Sequence, residues 1–137
     1  MIDMDHHMAR ALRRAGFPSW AAVYDAGMTE AKMWLTNQPQ DDSALLAAFV
    51  ERAIETIRVS VDKVLSYLQD ELESSLTGFD TPRSFVRDRV RVMVDKMRTD
   101  ITAHLDHLHR TLTDAAADEA GRFDRMGADF LAALERP

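Results

Sequence analysis

The sequence has no cysteine, four prolines, five glycines and few aromatic residues among its 137 positions. Without cysteine there is no disulfide framework, no thiol nucleophile and no cysteine-ligated zinc. No segment reaches the roughly 18 uninterrupted apolar residues that a membrane-spanning helix requires. No stretch alternates apolar and polar residues long enough to argue for a sheet. No cationic segment followed by an apolar run opens the chain, so the expected location is cytoplasmic and no membrane partner is expected. Phosphate-cradling glycine loops, nucleophile–base pairs and paired catalytic carboxylates are also missing. The expectation is a protein with no catalytic residues and no cofactor, that is, not an enzyme.

Hydrophobic residues make up 46% of the chain, enough to bury a real core. They recur at helical spacing, and the expected fold class is all-α. The expected architecture has an N-terminal three-helix, helix-turn-helix-like unit over residues 1–42. Residues 43–137 follow as a long antiparallel helical hairpin and a short C-terminal helix.

The N-terminal expectation rests on local punctuation. Ser19 can accept a hydrogen bond from the unpaired amides of a first helical turn. Gly27 stands where a short helix can stop, since glycine enters the left-handed conformation without a Cβ clash. Thr29 can cap a second helix, which must end before Pro39. Trp20, Tyr24 and Trp34 sit at helical spacing, as the core of a small helical unit or as a stacking set for nucleic acid.

This stretch resembles the tetracycline-repressor-like (TetR) family of bacterial regulators over roughly residues 4–60. Met8, Leu12 and Gly16-Phe17 are similar to the first helix of that family and its end. Ala26-Gly27-Met28-Thr29 resembles the turn, Met33-Trp34 the apolar–aromatic pair, and Leu45-Leu46 with Phe49-Val50 the start of the fourth helix. The sequence departs from the family pattern at Leu35-Thr36-Asn37-Gln38, where an aromatic cluster is usual, and at Glu30, where a lysine is usual. The resemblance implies a transcriptional regulator that binds double-stranded DNA. Thr29, Lys32 and Trp34 would enter the major groove, and Arg10, Arg13 and Arg14 would supply backbone charge.

From Ser43 the pattern changes to long helices. Val50, Ile57, Val64 and Leu68, with Ile54, Val61 and Leu72, form one stripe at spacings of three and four. Gly78, Thr81 and Pro82 combine a helix stop, an N-cap and a proline at a first helical position, the signature of a tight helical turn. Val86, Val90, Met93, Met97, Ile101, Leu105, Leu108 and Leu112 make the returning stripe. A break is expected between Asp114 and Gly121, followed by a helix carrying Phe130. A bare two-helix hairpin leaves apolar surface uncovered, including Leu65, Leu76, Phe123 and Phe130. Homo-oligomerisation is therefore expected through Val50, Ile57, Val64, Leu68, Met97, Leu108 and Phe130, with a protein partner along the hairpin as another occupant.

Charge is uneven in this chain of net charge −6. Its acidic total disfavours a broad nonspecific nucleic-acid footprint. Residues 79–99 alone are basic. Arg83, Arg87 and Arg91, at i, i+4 and i+8, read either as an anion contact or as partners of the opposite helix. In the second case Arg87 would lie near Asp70 and Glu71. His104, His107 and His109 with Asp100 and Asp106 are the densest set of metal-ligating side chains. The paired Glu-x-x-His motifs of di-iron bundles are absent, and no metal is expected. Two functional classes thus stand open: a TetR-like DNA-binding regulator, and an acidic helical scaffold or adaptor that oligomerises through its hairpin.

Overall fold

A computed structural model describes residues 4–38, 43–76, 83–115 and 130–135. Four helices follow one another: α1 (Met4–Arg14), α2 (Trp20–Thr36), α3 (Ser43–Leu76) and α4 (Arg83–Ala115). Residues 130–135 form a further helical segment. Among the described residues there is no strand, and the fold is all-α.

Each boundary has a local cause. α1 ends in a Schellman motif in which Gly16 adopts φ +97°. The Phe17 amide donates to the Leu12 carbonyl and the Gly16 amide to that of Arg13, satisfying carbonyls that a helix end leaves open. Ser19 caps α2, its Oγ accepting from the Ala22 amide at 3.3 Å. α2 stops before Pro39 as expected. α3 and α4 end and begin on either side of the expected turn. Gly78, Thr81 and Pro82 themselves, and the break expected between Asp114 and Gly121, lie outside the described residues.

The N-terminal expectation needs one correction. Gly27 does not stop a helix and Thr29 does not cap one: α2 runs unbroken through both. The reason is packing. Trp20, Val23, Tyr24, Gly27, Met28 and Ala31 are all buried, and they fall at i, i+3, i+4, i+7, i+8 and i+11, one continuous helical stripe. Gly27 lies on that stripe where α2 crosses α3. A Cβ placed there would stand 2.5 Å from Ile57 Cγ1 and 3.2 Å from the Ala53 carbonyl oxygen. The glycine allows close approach of two helices rather than a turn.

α3 is the spine: α1, α2 and α4 all pack against it. One continuous core joins residues of α1 and α2 to the hairpin, so these two helices share their core with the rest of the described residues. α1 and α2 cover the surface that a bare hairpin would expose. Val50, Ile57, Val64, Leu65, Leu68, Leu108 and Phe130 are therefore buried within the single chain. Met97 is half-buried against the same cluster. These side chains are intramolecular core, which corrects their reading as surface between copies. Leu76 is half-buried, and Phe123 lies outside the described residues. Phe130 packs against Tyr24 with ring centroids 6.3 Å apart, which ties the C-terminal segment to α2.

Candidate functional site

The six side chains expected to face DNA do not converge. Arg10 and Arg14 extend from α1 onto α3. Arg10 Nε lies 3.3 Å from Glu71 Oε2, and Arg14 reaches Glu71 Oε1 at 3.0 Å and Asp70 at 4.0 Å. The Arg14 guanidinium also sits 4.6 Å from the centre of the Tyr67 ring. The Glu71 side chain is only 11% exposed and is engaged by both arginines. Arg13 is exposed and has no ion pair among the described residues.

Trp34 belongs to a different cluster, at the far end of α2. Arg52 of α3 stands over its ring at 5.5 Å, and the same guanidinium donates two hydrogen bonds to Glu30 at 3.2 and 3.0 Å. Thr56 donates a third to Glu30 at 2.9 Å. Glu30, the residue that departs from the family pattern, is thus a clasp between α2 and α3. Thr29 and Lys32 beside it are exposed. Measured along α3, the Arg52 clasp and the Tyr67–Glu71 anchor are separated by about 22–28 Å, at 1.5 Å per residue. The expected DNA set is therefore split between two clusters.

A groove of about 630 Å³ runs beside the Arg52 clasp and extends to His109. Its polar lining is largely paired: Glu30 with Arg52 between α2 and α3, Glu51 with His109 at 2.5 Å between α3 and α4, and Glu55 with Arg58 at 3.9 Å within α3. Such pairs leave little free chemistry for a substrate. Among the described residues, no three His, Asp or Glu side chains are grouped to hold a metal. His109 meets Glu51, whereas His104 lines a separate groove with Met8, Trp20 and Met97.

The basic segment of α4 also differs from its expected pairing. Asp70 and Glu71 face α1, not α4, so Arg87 does not meet them. α4 is fastened to α3 elsewhere, by Arg98 to Asp62 at 3.3 Å and Arg58 to Asp106 at 3.7 Å. Arg83, Arg87, Arg89, Arg91 and Lys96 are exposed and form no ion pair among the described residues. Between them stand two outward apolar side chains, Phe85 at 52% exposure and Val92 at 71%. Arg89 lies 5.1 Å from the centre of the Phe85 ring. On α3, Val59 is likewise 59% exposed. Sequence reading missed these three because helical periodicity reports the buried stripe and not single apolar residues on the outer face. Their spacing was the available signal, since Phe85 and Val92 are seven residues apart on the face opposite Val86 and Val90.

No family model, no curated protein and no solved structure matches this chain.

Proposed function

We propose that this chain is a non-catalytic helical adaptor that docks protein through the outer faces of α3 and α4. The observation that carries this reading is the distribution of exposed apolar side chains. Of the large hydrophobic residues exposed among the described residues, Met33 is the exception; Val59, Phe85 and Val92 all lie on the outward faces of the hairpin, flanked by charge. Apolar side chains set among exposed charges are suited to a protein interface, where the apolar atoms supply affinity and the charges select the partner. In this account α1 and α2 act as braces. They bury the inner face of α3 and hold the spine straight.

The TetR-like regulator reading gives α2 a different task, with Thr29 and Lys32 exposed on its surface to contact DNA. The continuity of α2, the two arginines engaged by Glu71 and the separation of the cationic clusters favour the adaptor. Fluorescence anisotropy with duplex DNA from the protein's own upstream region, at 50 and 200 mM salt, separates the two. The adaptor reading expects no sequence-dependent binding and no change on Lys32→Ala. Sequence-dependent binding lost on Lys32→Ala would overturn it.

A further inference from the structure

We infer that the partner docked by the outer faces of α3 and α4 is a second copy of this chain, so the inference rests on the adaptor reading. Each helix carries one outward ridge. On α4, Phe85, Arg89, Val92 and Lys96 recur at intervals of four, three and four, opposite the inward Val86–Val90–Val94 side. On α3, Glu55, Val59, Asp62 and Ser66 recur at the same intervals, opposite the inward Ile57–Val61–Val64 side. Both ridges span about 16 Å at 1.5 Å per residue. All eight side chains are exposed.

The ridges are complementary in charge and share a register. The α4 ridge alternates apolar and basic residues, and the α3 ridge places acids on both sides of a valine. When α3 of one copy lies antiparallel to α4 of another, Glu55 stands beside Lys96, Val59 beside Val92 and Asp62 beside Arg89. The steps of four and three from Glu55 to Asp62 match the steps of four and three from Lys96 back to Arg89, so a single register satisfies all three. Because α3 and α4 are antiparallel within one chain, a two-fold axis parallel to the helices creates this antiparallel pairing between copies. The same axis makes the contact twice, as an isologous interface requires.

The charge balance favours this occupant over an anionic surface. Six cations and two carboxylates fall between Arg83 and Arg98, within a chain whose net charge is −6. The rest of the molecule is thus strongly acidic and would be repelled by phosphate, while it supplies the carboxylates that the α4 ridge lacks. Three of the exposed large hydrophobics, Val59, Phe85 and Val92, are covered in the pairing.

Sedimentation equilibrium on the intact chain tests this, with a charge-swap pair. One variant is Arg89→Glu with Lys96→Glu; the other is Glu55→Arg with Asp62→Arg. The wild type is expected to dimerise with a Kd on the order of 10–100 µM at 50 mM salt, as befits a small, charged interface. The Kd should rise about tenfold by 500 mM salt, as exposed charges are screened. Each variant alone should stay monomeric with native far-UV circular dichroism, and an equimolar mixture should recover the dimer. A wild type that stays monomeric to 200 µM would overturn the inference. So would two folded variants that fail to associate when mixed, or binding of phosphatidylserine vesicles that requires Arg89 and Lys96. In each of those cases the adaptor reading is judged separately, by the Lys32→Ala result with DNA.

Discussion

Replacing Gly27 by alanine sets two effects of known size against each other. A glycine inside a helix is about 1 kcal/mol less favourable than alanine, so on an open helix face the change would stabilise. Here the new methyl would stand 2.5 Å from Ile57 Cγ1 and 3.2 Å from the Ala53 carbonyl oxygen. Ile57 is fully buried and β-branched, so Cγ1 cannot swing aside without leaving its preferred rotamer. Overpacking of this kind costs about 1–3 kcal/mol. The net expectation is a loss of about 1 kcal/mol, read as a fall of about 4 °C in the thermal midpoint for a chain of this length. Ile57→Ala alone should cost about 2–5 kcal/mol through the cavity it leaves. It also removes the closest clashing atom, Ile57 Cγ1, and leaves the Ala53 carbonyl oxygen at 3.2 Å. In the Ile57→Ala background, Gly27→Ala should therefore become neutral or stabilising by about 1 kcal/mol, because the methyl enters vacated space and the helix propensity is regained. Urea unfolding of the four proteins measures the coupling. A glycine needed for a turn would respond differently, since backbone strain at position 27 does not depend on Ile57. Equal losses from Gly27→Ala in both backgrounds would refute the reasoning.

Two further predictions concern the ends of the brace. Glu71→Ala should lower stability by about 1 kcal/mol, because it leaves Arg10 and Arg14 facing each other without their shared carboxylate. The loss should shrink in 1 M salt; urea midpoints at two salt concentrations would check this, and a loss unaltered by salt would contradict it. Arg52→Lys should not substitute for arginine, since a lysine lacks the fork that reaches Glu30 and the flat face that covers Trp34. A stability loss of about 0.5–1 kcal/mol and altered tryptophan emission are expected, and an unchanged spectrum with unchanged stability would count against the clasp.

The helical class, the long α3–α4 pair and the inner stripes were legible because periodicity reports directly on which face is buried. The Ser19 cap was legible for a related reason, since it is a local hydrogen-bonding requirement set by a few neighbours. Gly27 was not legible from its neighbourhood alone. Glycine serves both at a helix stop and at a close crossing of two helices, and only the position of Ile57 and Ala53 decides between them. The uninterrupted burial spacing from Trp20 to Ala31 carried the answer, but it competes with the Ala26–Thr29 resemblance to a turn. The partners of Asp70 and Glu71 were obscured for another reason. A hairpin drawn in two dimensions offers them only α4, whereas a spine packed on several sides turns that edge toward α1. The same docking of α1 and α2 explains why apolar residues read as contacts between copies are intramolecular core.

Whether α2 is a single rod separates the adaptor from the DNA-reading head. The most direct measurement is the backbone Cα chemical shifts of residues 20–36 by nuclear magnetic resonance, with amide exchange across Ala26–Glu30. Unbroken helical shifts through Gly27 and Thr29, with slowly exchanging amides at Met28 and Ala31, are predicted. Loss of helical shifts at Gly27–Met28, with a protected amide reporting a Thr29 cap, would contradict the account and return α2 to the form of a DNA-reading head.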